Sequence, residues 1–386
     1  MCADMTGSDR CWPKTGLWGA SFRVMFPLAA LWAALCIALW HWGAALWPNL
    51  ALSRNWHIHE MTFGFAGAAV AGYLLTACSS WTGRAPVSGA PLMGLAAAWL
   101  AVRFGLLWPD AAPRWGVAAM SLAYFWSIAA LLTHEAYRAG KGWRPVFIGF
   151  CLGAGVISAL WIGGIVGIGA AVSAVLGFVL LLSLVSLRMV PAFLQNAASK
   201  QGLSFRTGAN WTFPALIAVL LLSTGLQLAG YPQGAAIGYG AAGIGMLAEM
   251  LRWPLRPARG EALLALLVLG FLWLPIGLLM LGAHLAGAAV PAAAPGHALM
   301  MGAMGGLIMA VSARAFARRT ASGLRARPGM VPAFLLLMTS VPLRLMGQLD
   351  LAAGLWCAGW LLYLALMLPR LKGPVPRPVF SGNRTP

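Results

Sequence analysis

The feature that most constrains the fold of this chain is a series of apolar runs, each about 20 residues long, which is the length that a helix needs to cross a bilayer. Hydrophobic residues make up 61% of the chain and charged residues only 9%, whereas a soluble domain carries about 25% charged residues. The runs are continuous rather than alternating, which excludes a transmembrane β-barrel. The sequence therefore predicts an all-α membrane protein without a separate soluble domain.

Twelve such runs predict a polytopic membrane helix bundle with about 12 transmembrane helices. The predicted spans are 22–47, 58–78, 88–108, 115–137, 145–165, 167–187, 208–230, 234–252, 262–287, 297–316, 329–349 and 352–370. The glycine-rich stretch "WIGGIVGIGAAVSAV" is divided between the fifth and sixth spans, because the two runs together are too long for one crossing. Residues 1–21 and 371–386 are predicted to be cytoplasmic tails on either side of a single membrane domain, 22–370.

The basic residues support this number of spans. With twelve crossings, 22 of the 26 Lys and Arg residues fall on one side of the membrane, and such residues favour the cytoplasmic side. The N- and C-termini are therefore predicted to be cytoplasmic. The net charge of +18 is explained by these loops and by their contact with anionic lipid headgroups, so no nucleic acid partner is expected. Arg54 and Arg114 lie on the outer side, and Arg103 and Arg344 lie within spans.

This topology places five of the six histidines towards the outer side. His57, His59 and Glu60 lie in "WHIHE" at the outer mouth of the second span, and His297 begins the tenth. Ionisable groups in membranes are costly and usually functional. Imidazole binds iron, copper and zinc, and thioether favours Cu(I) and haem iron, so these histidines and Met301 are candidate ligands. The plainer alternatives stay open, since an interfacial histidine can contact headgroups and a methionine can fill space.

Helical spacing predicts a packing role for the same two segments. Residues four apart share a helix face, so Gly64 and Gly72 belong to a small-residue stripe on the second span, and Gly302 and Gly306 belong to one on the tenth. Such stripes allow close helix packing, and they would also leave room for a flat macrocycle. Each segment is thus predicted to carry an outer histidine, a methionine below it and a small-residue face.

Other polar residues lead to weaker expectations. Arg103 with Asp110, and Arg344 with Asp350, are candidate ion pairs near the outer side. Pro191 in "RMVPAFLQNA" is expected to stop or kink the sixth helix at the inner face. No CxxCH motif occurs, so covalently attached haem is not indicated.

Four motifs resemble, in their order, the signature of the NnrS family, which comprises haem- and copper-containing bacterial membrane proteins. The motifs are "WHIHEMTFGFAGAAVAGYLLTACSSWTGRAPVSGAPL", "RMVPAFLQNA", "FLWLPIGLL" and "HALMMGAMGGLIMAVSARA". The resemblance extends over about residues 20–370. It implies twelve helices in the bacterial inner membrane, with non-covalent b-type haem and copper. It also implies a role in nitric oxide metabolism or resistance to nitrosative stress, with genes that often lie beside denitrification genes.

The matched motifs also imply roles for particular residues. The resemblance makes His57, His59 and His297 metal ligands, and Glu60 would orient an imidazole by hydrogen bonding or handle a proton. Two further residues match a family motif without an assigned role, Arg188 and Asn196.

The chain departs from the family pattern at three places. Val268 stands where members often carry a histidine, and "RRTAS" stands where they often carry "GHTGR". Ala248 and Glu249 stand near the position of a further common histidine. The resemblance therefore leaves open whether both metals are kept.

Two rival functions remain from the sequence. One is a 12-helix transporter or metal-handling permease, and the other is a non-catalytic sensor or assembly factor. Transporters usually place polar residues on discontinuous helices near the bilayer midplane, whereas the polar groups here lie at helix ends. The sequence leaves open catalytic turnover, the oligomeric state and which histidine holds which metal.

Overall fold

The computed structural model describes residues 16–140, 145–203, 211–320, 323–376 and 379–380. Within them lie twelve helices: α1 (Ser21–Gly43), α2 (Arg54–Thr82), α3 (Ala90–Leu107), α4 (Arg114–Arg138), α5 (Pro145–Gly163), α6 (Ile168–Lys200), α7 (Thr212–Leu228), α8 (Pro232–Met250), α9 (Ala262–Leu285), α10 (Ala294–Ala315), α11 (Met330–Leu345) and α12 (Leu349–Met367). A two-stranded antiparallel hairpin, β1 (Arg318–Thr320) and β2 (Gly323–Arg325), follows α10. Several predicted positions lie outside the described residues, namely Arg10, Lys14, Lys141, Arg144, Arg206, Arg377, Arg384 and the first residues of the seventh span, 208–210.

The predicted all-α polytopic bundle is confirmed. In the described parts of the chain, nine helices are long and apolar enough to cross a membrane. Helices α7 and α11 are apolar but shorter, with 17 and 16 residues. The division of "WIGGIVGIGAAVSAV" is also confirmed, because the chain breaks between α5 and α6 and Gly164 adopts a φ of 75° there, which favours glycine.

The first and last described segments of the chain lie at the same end of the bundle. The guanidinium of Arg23, at the start of α1, donates to the carbonyl oxygens of Gly373 and Pro374, each at 2.7 Å. Arg314, at the end of α10, donates to the carbonyl of Phe380 at 2.9 Å. These are the segments that the basic residues place on the cytoplasmic side, so they do lie together.

The opposite end of the bundle holds the segments predicted to face outward. The amide of Ala51, between α1 and α2, donates to the carbonyl of Leu107 at the end of α3. His41, at the end of α1, lies 2.7 Å from the carboxylate of Asp350 at the start of α12. This arrangement agrees with the alternating topology. The cytoplasmic orientation of the termini and the division into one membrane domain with two tails stay predictions.

Helix α6 is longer than predicted. It continues without a break through Pro191 to Lys200, and its 33 residues make a helix about 50 Å long. Of the two expectations for Pro191, that it stops the helix was therefore wrong, and that it kinks the helix stays a prediction. A hydrocarbon core is about 30 Å thick, so part of α6 extends beyond it.

Helices α2 and α10 each contain a π-helical segment directly after their histidines. The segments are Glu60–Ala66 and Ala298–Gly305, and α1 carries a third at Leu39–Gly43. Hydrogen bonds in a π-helix join residues five apart, and such segments are frequent at functional sites. The α-helical spacing assumed for the tenth span therefore does not apply within residues 298–305.

The small-residue stripes pack against neighbouring helices. A Cβ atom built on Gly64 would lie 2.7 Å from the indole nitrogen of Trp32, and one on Gly72 would lie 2.9 Å from the ring of Phe26. The packing interpretation is thus borne out for α2, because α1 side chains fill its stripe. The idea that this stripe leaves room for a macrocycle was wrong.

We expect Gly302→Ala to destabilise the protein by about 1–3 kcal/mol, the usual cost of overpacking. A Cβ atom at this position on α10 would lie 2.6 Å from Cγ of Trp273 on α9, which is a bulky side chain with little freedom to move. Thermal unfolding in detergent measures the effect. Gly149→Ala on α5 is the matched control, since a Cβ there meets nothing within 4 Å, and equal melting temperatures for the two variants would contradict the prediction.

Candidate functional site

The outer histidines of α2 and α10 interact electrostatically. These residues are His57 and His297, and 240 residues separate them along the chain. The ring of His57 stacks on Trp40 of α1, with the ring centroids 5.1 Å apart and an interplanar angle of 17°. We call His57 and His297 the outer histidine pair.

Within the part of the chain that the structure describes, each ring of the outer histidine pair has a nitrogen without a hydrogen-bond partner. Nδ1 of His57 is buried and has no hydrogen-bond partner among the described residues. Nδ1 of His297 lies 2.7 Å from the carbonyl of Ala293 and donates to it, which leaves Nε2 with its lone pair. A metal-binding histidine usually donates its other ring N–H in this way, so the pair has the chemistry of two imidazole ligands.

Arg344 of α11 is a charged residue that acts on both histidines of this pair. It interacts electrostatically with both His57 and His297. The expected ion pair between Arg344 and Asp350 was wrong, because Asp350 contacts His41 instead. Within the described residues Arg344 has no carboxylate partner, so a positive charge stands beside the two imidazoles.

Glu60 forms a buried ion pair with Arg103 of α3. Oε2 of Glu60 lies 2.6 Å from Nε of Arg103, and the two side chains are only 0% and 4% exposed. The N–H does not point straight at the oxygen, so the contact is electrostatic rather than a well-aligned hydrogen bond. Arg103 also lies over the ring of Trp99. The expected partner of Arg103, Asp110, was therefore wrong.

His59 extends this ion pair across the bundle. Its Nδ1 donates to Oε1 of Glu60 at 2.9 Å, and its Nε2 lies 2.9 Å from the hydroxyl of Ser158 on α5. Ser158 in turn lies 2.6 Å from the hydroxyl of Ser121 on α4. We call these five residues the buried network: Arg103, Glu60, His59, Ser158 and Ser121. Both ring nitrogens of His59 are thus engaged, and it would have to release one of them to bind a metal.

The remaining predicted residues lie on α6 and α10. Met301 is half-buried in the π-helical segment of α10. Arg188 is exposed on α6 and lies over the ring of Phe213, with 4.2 Å from Cζ to the ring centroid. Asn196 is exposed on the same helix. Their roles stay predictions.

Sequence reasoning missed the members of the buried network that come from other helices. The sequence could have indicated the pairing of Arg103 with Glu60. A charge inside an apolar span needs a partner, and Glu60 is the acidic residue at the mouth of the preceding span. Nothing in the sequence indicated Ser121 and Ser158, since isolated serines are common in membrane helices.

The fit of a metal to these residues is limited by the number of donors. Within the described ranges, no group of three or more His, Cys, Asp or Glu residues could hold a metal ion. The outer histidine pair offers two imidazoles. His57 and His297 would be the residues that hold a metal group here, since imidazole is a ligand for both haem iron and copper.

The fold and these groups define a multi-pass membrane protein with a histidine pair at one end of a helix bundle. The family model described as NnrS protein matches residues 16–374, nearly the whole chain. The chain belongs to the NnrS family. No curated protein matches it.

Proposed function

We propose that this NnrS family member binds haem, copper or both near its outer face, in the bacterial inner membrane, and acts in nitric oxide metabolism or in resistance to nitrosative stress. The single observation that supports the proposal is that His57 and His297, on distant helices, interact electrostatically, while each ring has a nitrogen without a hydrogen-bond partner among the described residues. The resemblance to haem- and copper-containing members supplies the chemistry.

In this proposal the outer histidine pair holds the metal. Haem iron and Cu(I) both bind nitric oxide, and that is the chemistry the group would supply when bound. Arg344 would neutralise negative charge, such as that of a haem propionate, because it interacts with both histidines and has no carboxylate partner in the described parts of the chain. The hydrogen bond from His297 to Ala293 would hold that imidazole in one orientation.

The proposal gives His59 and Glu60 a different role from His57. His59 already uses both ring nitrogens, and Glu60 is paired with Arg103. These residues would therefore fix the start of α2, and with it the position of His57. His59 enters as a positioning residue rather than as a ligand.

The decisive experiment is a metal and haem analysis of the purified protein. The full chain, produced in cells supplied with a haem precursor and copper, is extracted in detergent. Iron and copper are then counted per chain, and reduced-minus-oxidised spectra are recorded with and without nitric oxide. We expect close to one metal per chain and a spectrum that shifts with nitric oxide. A colourless, metal-free protein would overturn the proposal.

The biological role needs a separate test. Cells that lack the gene should grow more slowly than the parent strain when exposed to a nitric oxide donor, and a copy of the gene should restore growth. Equal growth of the two strains would contradict the role in nitrosative stress. Metal binding would then still be tested by the spectra.

A further inference from the structure

Three arginines from separate segments lie at the end of the bundle that holds the first and last described segments. Arg318 begins β1, Arg327 precedes α11, and Arg370 ends the turn Leu368–Arg370 that follows α12. We call Arg318, Arg327 and Arg370 the arginine cluster. The outer histidine pair lies at the opposite end, so the proposed metal site does not account for these residues.

Contacts between the three segments place them side by side. Nε of Arg327 donates to the carbonyl oxygen of Phe316 at 2.6 Å, and Phe316 comes two residues before β1. A Cβ atom built on Gly329, at the start of α11, would lie 3.1 Å from Cδ1 of Leu366 in the last turn of α12. Arg327 accordingly interacts electrostatically with both other members of the cluster.

The charges of the arginine cluster are not balanced by carboxylates in the parts of the chain that the structure describes. None of its members forms an ion pair there. Glu261, at the same end of the bundle, lies 3.7 Å from Arg314 instead. Burial lowers the pKa of Arg327, and the charges of Arg370 and Arg318 lower it further. The three positive charges therefore repel one another.

The β-hairpin adds to this repulsion. Arg318 stands directly opposite Arg325 in the antiparallel pair, and like charges in that position are destabilising. Both residues are exposed. A conflict between local charges and the fold is expected at functional sites, and an anion bound among the arginines would remove it.

The position of the cluster relative to the helices indicates the source of such an anion. Arg318 lies three residues after the end of α10, Arg327 three residues before the start of α11, and Arg370 three residues after the end of α12. The headgroup layer adds about 5–8 Å to each side of the hydrocarbon core, a distance that three residues can span. The cluster therefore falls at the level of the lipid phosphates.

We propose that the arginine cluster binds a phosphate group, and that an anionic phospholipid supplies it. Guanidinium groups bind phosphate oxygens through paired N–H donors, and basic pockets between transmembrane helices bind anionic headgroups. The inference goes beyond the proposed function, because it needs neither the histidines nor a metal. It also differs from a general attraction of the basic loops to the bilayer, because it assigns the lipid to one place.

Native mass spectrometry of the delipidated full chain in detergent measures the binding. Phosphatidylglycerol is the probe, and zwitterionic phosphatidylcholine is the reference. The test variant combines Arg318→Gln with Arg370→Gln, because both residues are exposed. We expect the unaltered chain to prefer phosphatidylglycerol, and the variant to bind it about 10-fold or more weakly, since each basic residue near a membrane surface contributes about 5-fold to binding.

The matched control removes two charges elsewhere at the same end of the bundle. Arg138 and Arg256 are also exposed, so Arg138→Gln with Arg256→Gln lowers the net charge equally and should keep the affinity for phosphatidylglycerol. Equal weakening in the two double variants would overturn the proposal, because it would mean diffuse attraction. If the test variant does not fold, Arg370→Gln alone replaces it, with an expected loss of about 5-fold.

Inorganic phosphate distinguishes the two sources of a phosphate group. Its effect on the melting temperature of the full chain is compared with that of chloride at equal ionic strength. Stabilisation of the unaltered chain but not of the test variant, without a preference for phosphatidylglycerol, would keep the phosphate site and overturn its assignment to a lipid. The absence of both the lipid preference and the stabilisation would overturn the whole proposal.

Discussion

Replacing Glu60 by alanine is expected to lower the free energy of unfolding by about 3–5 kcal/mol, the cost of breaking a buried ion pair by removing one partner. The substitution leaves the guanidinium of Arg103 buried without its partner, because this side chain is only 4% exposed and loses a carboxylate at 2.6 Å. It also removes the acceptor for Nδ1 of His59. Reversible unfolding in mixed micelles measures the change.

The control for this effect is an exposed pair in the same protein. Glu249→Ala removes a contact of 3.3 Å with Arg252, whose side chain is 53% exposed, and exposed pairs contribute only about 0–1 kcal/mol. The double variant Glu60→Leu with Arg103→Leu should regain much of the lost stability, because no charge is then left buried. A loss in Glu60→Ala no larger than that in Glu249→Ala would contradict the stabilising role of the pair.

His57→Ala and His297→Ala are each expected to lower the metal or haem content by more than about 10-fold, since even the loss of an outer partner of a ligand costs about 10–100-fold in affinity. Each variant removes one of the two imidazoles of the outer histidine pair. The measurement is the metal content per chain together with the amplitude of the reduced-minus-oxidised spectrum.

Two further histidine variants separate the ligands from their surroundings. His284→Ala is the matched control, because its Nδ1 donates to the carbonyl of Val290 near the same end of the bundle. It should keep full metal content. His59→Ala should keep the metal but melt at a lower temperature, because it removes a link of the buried network. Loss of metal in His59→Ala with retention in His57→Ala would reverse the assignment of ligands.

The number and order of the helices could be predicted from the sequence because the bilayer imposes them. A crossing needs a minimum length of apolar chain, and basic residues favour one side. The break at Gly164 between α5 and α6 was predictable for the same reason of length. The extension of α6 through Pro191 was not, because the cost of a proline within a helix depends on what surrounds it.

The candidate site was predictable only in part. Its two segments, around His57 and His297, could be picked out because histidines are unusual at the ends of apolar runs. The sequence treated His57 and His59 alike, whereas the structure separates them: one has an unoccupied nitrogen and the other is engaged on both sides. That difference arises from Glu60, which is adjacent to His59 in the sequence, and from Ser158 on α5, and no local pattern around His59 could indicate the second of these partners.

The sequence alone therefore determined that this is a polytopic all-α membrane protein, which residues are candidates to bind a metal and, apart from the C-terminal end of α6, where its helices begin and end to within a few residues. These properties follow from local composition, which the bilayer selects directly. Only the tertiary structure decided the partners: Arg103 for Glu60 rather than Asp110, and His41 for Asp350 rather than Arg344. The physical reason is that a buried charge needs a partner within a few ångströms, and which residue comes that close depends on how the helices pack against one another.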